Sequence, residues 1–330
     1  MNFLKKAVGL TSSTPAEKIS AIVPLSEESQ ECNPQECHNT FASRCFKLDP
    51  VDMKSQLWES AKPFDFHVLV STGSSDWIHD AFTDGPEDGM LQLLNGYEFG
   101  KFGKVKLNVS SVGFPDGDDF TDYEDGKKAD LLLMPWFVWV KGLDKNNYKT
   151  VLDQVLSTLT TKDDGNSSEK LNDWQKIEKE EGSPSQENEH RASKEEHDNF
   201  RLPGVIEGAK ISKDLSKSYI FLCSHRTRDK RCGVTAPIMK KEFESHLREL
   251  DLYRDEGDDR TGGVKVVFTN HVGGHKFAAN VMVYNKHGEF VWFAKCSPLN
   301  VGPILNETVL KGRVFPELVR TAKKFDPISW

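Results

Sequence analysis

Apolar residues in this chain come in short continuous runs separated by turn residues, and longer amphipathic stretches lie between the runs. In the first half, "FHVLVSTG" (66–73) reads as a buried strand and "DGMLQLLNGYEF" (88–99) as a helix. "GKVKLNVSSVG" (103–113), "ADLLLMP" (129–135) and "WFVWVKG" (136–142) read as strands, and "NNYKTVLDQVLSTLT" (146–160) as a helix. The second half repeats the order. "SYIFLC" (218–223) is a strand, "TAPIMKKEFESHLRELDL" (235–252) a helix, "GVKVVFTN" (263–270) a strand and "AANVMVYNKHGEFVWFAK" (278–295) a hairpin, with helical sequence following. Met239, Phe243, Leu247 and Leu250 form one stripe on the helix, and Pro237 fits its first turn.

Both halves thus predict β-α-β-β-β-α. A mixed sheet with helices against it, in roughly 120 residues, is a thioredoxin-like pattern. The expected fold is α/β with an α+β mixed sheet, built as two tandem thioredoxin-like domains. Between them, residues 161–200 hold five hydrophobic residues and a net charge of -6 from 12 acidic and 6 basic side chains. That is too little apolar surface to offset chain ordering, so the segment predicts an acidic disordered linker in which Leu171, Trp174 and Ile177 share helical spacing. The expected boundaries are a flexible segment 1–30, domains 31–160 and 201–330, and linker 161–200.

The formal charge of -8 and pI near 5.7 argue against a general nucleic-acid binder. No apolar run approaches the roughly 18 to 20 residues of a membrane span, and the N-terminus has no run long enough for a signal-peptide core. The expectation is a cytoplasmic protein, with the nucleus as a second location, whose six cysteines are reduced thiols.

Candidate chemistry gathers in the second half. "FLCSHRTRDKRCG" ends a strand at Cys223 and sets Cys232 before a helix, with eight residues between them. "NHVGGHKF" adds His271 and His275, four positions apart, after the next strand. In the first half Ser71-Thr72-Gly73 stands where Cys223-Ser224-His225 stands in the second, so only the second has sulfur at that turn. Loops at neighbouring strand ends of an α/β sheet converge, which brings two thiolates and two imidazoles face to face. Zinc suits the histidine spacing, but the cysteine loop is wide for a zinc knuckle. A two-iron cluster suits a wider loop, one iron taking the cysteines and the other the histidines. Arg226, Arg228, Lys230 and Arg231 make the loop basic, as thiolate and sulfide require, and Gly273-Gly274 permits close backbone approach.

"CSHRTRDKRCGVTAP", "HVGGHKFAAN" and, in the first half, "HVLVSTGSSDW" resemble the sucrase/ferredoxin-like family from about Cys32 onward, outside the linker. The resemblance implies a thioredoxin-like ferredoxin with one [2Fe-2S] cluster on Cys223, Cys232, His271 and His275. The cysteines would hold the inner iron and the histidines the outer. It also implies a link to actin patches and to oxidative or metal stress resistance. Imidazoles in place of two thiolates raise the potential, into the range of about -150 to +300 mV against about -400 mV for plant-type ferredoxins. An electron carrier, with unidentified donor and acceptor, is expected in preference to an enzyme with its own substrate. No carboxylate pair suits glycoside hydrolysis. The rival reading is a zinc-stabilised interaction protein.

The terminal Ile328-Ser329-Trp330 resembles the signal by which clients reach the cytosolic iron-sulfur targeting complex. Cys32, Cys37 and Cys45, with His38 adjacent, read as packed thiols before a second metal site. His225 is the main rival ligand, expected to face solvent or a backbone carbonyl. Thr72, Asp76 and Trp77 read as turn and core residues.

Overall fold

The computed structural model describes residues 13–32, 54–86, 88–113, 120–161, 202–255, 257–258 and 260–328. The first half runs β1 (Phe66–Ser71), α2 (Met90–Asn95), β2 (Val105–Ser110), α3 (Phe120–Glu124), β3 (Lys128–Met134), β4 (Val138–Asp144) and α4 (Tyr148–Thr160), preceded by α1 (Pro15–Ser20). The second runs β5 (Val205–Ile206), β6 (Ala209–Lys213), β7 (Ser218–Cys223), α5 (Lys230–Glu249), β8 (Val264–Thr269), β9 (Val281–Asn285), β10 (Glu289–Phe293) and β11 (Val319–Lys324).

The expected mixed α/β architecture is present, and the two halves share one topology. β1 pairs parallel with β2 and antiparallel with β3, which pairs antiparallel with β4. β7 does the same with β8, β9 and β10. Each half therefore has the strand arrangement of a thioredoxin-like fold. The two copies join through β2 and β8 at Ser110 and Thr269, giving one sheet of eleven strands in the order β11-β10-β9-β7-β8-β2-β1-β3-β4-β6-β5.

Three cores follow from the period-two alternation of strand side chains. Ile220 and Leu222 pack with Met239, Phe243 and Leu247 of α5. Phe66, Val68 and Val70 pack with Val151, Leu152 and Val155 of α4. The opposite faces of both halves supply the third core, in which Leu69 and Leu132 meet Tyr219, Phe221 and Tyr284. His67 of β1 lies 6.1 Å from the Phe221 ring and Phe64 5.3 Å from Phe290, centroid to centroid. The sheet therefore turns at the β2–β8 seam until its helix-free faces pack together.

Several segments depart from the sequence expectation. The 1–30 segment was expected to be flexible, yet among its described residues Thr14 and Glu17 form a reciprocal capping box, and Ile19 and Val23 are fully buried in the second-half core. Burying each such side chain is worth about 1.5–3 kcal/mol, enough to hold a short helix. Within the expected 201–330 domain, β6 pairs antiparallel with β4 and so extends the first half's sheet. α5 begins at Lys230, ahead of the expected 235, because Asp229 caps it by accepting from the Arg231 N–H at 3.0 Å. The region read as helical after residue 295 ends in strand β11, paired with β10. The acidic segment's Leu171, Trp174 and Ile177 lie outside the described residues, as do His38, Cys37 and Cys45.

Candidate metal centre

Cys223 closes β7 on the side of Tyr219 and Phe221, so its sulfur points into the core shared by the two halves. Ser71 closes β1 at the matching register position, opposite Ser110 as Cys223 is opposite Thr269. The chain then runs through a loop to Asp229. Cys232 falls at the third helical position of α5, inside the first turn, where the sequence expectation set it just before the helix. Gly233 is required there, because a Cβ would stand 2.2 Å from Arg226 Cβ and 2.6 Å from Arg226 Cα.

The third group arrives from the loop after β8. One ligand atom each from Cys223, Cys232 and His271 lie within 4.8 Å of one another, with both cysteines buried. The Cys223 thiol is held well below its ordinary range. The hydrogen bond with Cys232 contributes most, against the opposing push of burial, and the His271 side chain and the Val272 N–H add to it. The same pairing pushes the Cys232 thiol far up. Two sulfurs and an imidazole, preorganised with one thiolate favoured, fit either a structural zinc or a cluster iron as donors.

His275 opens a short helical turn, His275–Phe277, in the same loop; its side chain lies outside the described residues. Gly273 and Gly274 both have left-handed backbone, with φ of 90° and 78°. At Gly274 space matters as well, since a Cβ would meet Arg320 Nη2 at 2.8 Å.

His225 is neither solvent-facing nor within the ligand group. It is 1 % exposed, and its Nε2 donates to the carbonyls of Trp77 and Ile78 at 2.9 and 3.0 Å. That fixes Nδ1 as the acceptor for the His271 N–H at 3.2 Å. Neighbouring bonds tie the same two loops. Ser224 Oγ donates to the Ser75 carbonyl at 2.6 Å, and the Thr227 N–H and hydroxyl donate to the Asp76 carboxylate at 3.1 and 2.9 Å. Thr72 accepts from the Trp77 indole at 2.9 Å, so these first-half residues shape the turn that grips the cysteine loop.

The electropositive field at Cys223 has an origin the sequence reading missed. Arg231 is occupied by Asp229 at 2.9 Å, Arg228 donates to His79, and Arg226 is exposed. The cations that sense the Cys223 charge are Lys106 of β2 and Arg320 of β11. Desolvation pushes the Lys106 ammonium down to about 7 and the Arg320 guanidinium to about 10, while the Cys223 charge pulls both up. A usable signal was present: Lys106, Asn108 and Ser110 alternate with Val105, Leu107 and Val109, a polar stripe in a strand that packs on both faces. Arg320 had no such signal, since its strand reads as the end of a helical region.

Cys296 belongs to the helix-side core, where burial pushes its thiol up, and Cys32 donates its N–H to the Leu299 carbonyl at 2.9 Å. Neither joins the ligand group. Ile328 packs on the shared core beside Phe325, whereas Ser329 and Trp330 lie outside the described residues. No helix among the described residues is long and apolar enough to cross a membrane.

Comparison with known proteins adds a family. The model of the family described as Sucrase/ferredoxin-like matches residues 57–321. The chain is 30% identical to the protein named Actin patches distal protein 1 of Saccharomyces cerevisiae, over 95% of this chain and 93% of that one. It is 35% identical to the protein named Altered inheritance of mitochondria protein 32 of Clavispora lusitaniae, over 38% of this chain and 40% of that one. No solved structure matches.

Proposed function

Since the chain belongs to the sucrase/ferredoxin-like family, we propose that it is an electron carrier holding one [2Fe-2S] cluster on Cys223, Cys232, His271 and His275. The observation that carries this reading is the convergence of Cys223, Cys232 and His271 within 4.8 Å, drawn from a strand end, a helix start and a separate loop. When bound, such a cluster supplies one-electron transfer at a potential raised by its imidazole ligands.

The residues around the site have distinct tasks. Cys223 and Cys232 hold the buried iron, from positions rigid enough to resist loss. His271 and His275 hold the outer iron. His225 fixes the orientation of the histidine loop through its backbone, without touching the metal itself. Lys106 and Arg320 supply positive charge beside the site, offsetting the charge gained on reduction.

The name of the S. cerevisiae relative supports a cytoplasmic role connected with actin patches. Protein purified anaerobically tests the central reading. A red-brown solution with two irons and two sulfides per chain is expected, as the proposed cluster requires. A colourless preparation carrying zinc would replace the electron carrier with a zinc-stabilised interaction protein.

A further inference from the structure

A cavity of about 610 Å³ opens between the halves beside His271, and its charge is unbalanced. Among the described residues four cationic side chains line it, Lys62, Lys106, Arg228 and Arg320, against one carboxylate, Asp80. Asp80 is already used locally, its Oδ1 accepting from the Phe82 N–H at 3.1 Å. Arg228 donates to the ring and carbonyl of His79, both at 3.0 Å, so it too is turned to neutral groups.

The two inner cations bracket an aromatic surface. Lys106 Nζ and Arg320 Cζ are each 4.6 Å from the centroid of Trp292, hence at most twice that distance apart. Arg320 also lies 5.0 Å from the Phe277 ring. Among the described residues its hydrogen bonds go to neutral acceptors: Gly273 O at 2.8 Å, Asn280 Oδ1 at 3.2 Å, Ser60 Oγ at 3.1 Å and Ser60 O at 3.2 Å. Lys106 has no carboxylate within ion-pair distance among the described residues. An ammonium on a ring face retains N–H donors directed away from the ring, and buried cations are stable when an anion completes them.

We propose that this cavity binds a small organic anion, its carboxylate taken by Lys106 in the field of Arg320 and its body set against the apolar part of the wall at Phe64, Leu107 and Phe277. The volume suits a small molecule, and a polar lining with more cationic than anionic side chains suits an anion. The proposal stands on the cavity's own residues and holds whether the neighbouring metal is iron or zinc.

Titration calorimetry on the purified full-length chain tests it, with benzoate as probe, benzamide as its uncharged isostere and inorganic phosphate as an anion without a ring. Benzoate is expected to bind saturably, one per chain, with benzamide and phosphate each at least about tenfold weaker. Lys106→Met should weaken benzoate at least about tenfold, and Lys106→Arg should leave it within about threefold of the parent chain. Lys106→Arg keeps the charge and so serves as the folded reference; if Lys106→Met fails to fold, Lys106→Gln replaces it. Absence of saturable benzoate binding at millimolar concentration, or equal binding of benzoate and benzamide, would overturn the proposal. So would phosphate matching benzoate, or undiminished binding to folded Lys106→Met or Lys106→Gln. Metal content, measured on the same samples, reports separately on the cluster.

Discussion

The backbone N–H of His271 donates to Nδ1 of His225 at 3.2 Å, so one histidine of the cysteine loop positions the loop that carries another. Replacing His225 by Ala removes that acceptor and leaves the Trp77 and Ile78 carbonyls without their donor. Stability should fall by about 2 kcal/mol, read from the denaturation midpoint. Metal affinity should drop roughly 10- to 100-fold, as for other residues that orient ligands from behind, measured by chelator competition.

The cysteines should separate cleanly by role. Cys223→Ser and Cys232→Ser should each abolish visible absorption and iron retention, because the serine hydroxyl is a poor substitute for a thiolate at iron. Cys296→Ser should keep both, since Cys296 is packed in the opposite core. Iron and sulfide analysis of the three variants checks this.

Potential measurements separate imidazole from thiolate ligation. A coordinated imidazole keeps a second ring nitrogen whose proton is held more tightly when the iron is reduced, so the midpoint potential should fall as pH rises. His271→Cys and His275→Cys should each retain a cluster at a lower potential. Redox titration at several pH values reads both effects, and a flat potential across the imidazole titration would count against histidine ligation.

His67 sets an acid limit on stability. Burial, reinforced by the Lys106 charge, holds its pKa well below 6.5 although Asn108 opposes this, so it is neutral in the fold. The unfolded chain binds a proton there first. Its contribution is therefore intact above about pH 6.5 and lost below it, at up to about 1.4 kcal/mol per pH unit until the folded pKa is reached. Denaturation midpoints between pH 7 and 5 should show that loss, and His67→Gln should flatten it.

Cleavage between residues 162 and 200 should not separate the two pieces. β6 lies in the C-terminal fragment yet completes the sheet of the N-terminal one through β4, and the β2–β8 seam and shared core join them again. Limited proteolysis followed by size exclusion should give one peak in native buffer and two in denaturant.

The parts of the fold that local periodicity encodes were legible, namely the strands at 66–71 and 218–223 and the helices ending at Thr160 and Glu249. The convergence of Cys223, Cys232 and His271 was legible too, because they sit at element ends that the topology brings together. What escaped depends on partners distant in sequence. β6 and β11 are edge strands whose state is decided by β4 and β10, and Ile19 finds its core in the other half of the chain. Thr72, Asp76 and Trp77 read as turn residues, and only the packed halves show the turn gripping the cysteine loop.

The seam between the two copies makes the chain a heterodimer with a covalent tether. Docking one copy on the other is an intramolecular event at high effective concentration, so the contacts themselves need only modest affinity to persist. The copy that carries Ser71 where its sister carries Cys223 is thus a permanently bound subunit whose turn at Asp76 to Ile78 holds its sister's cysteine loop. Substitutions there, far along the sequence from any cysteine of the centre, should be felt first as metal loss.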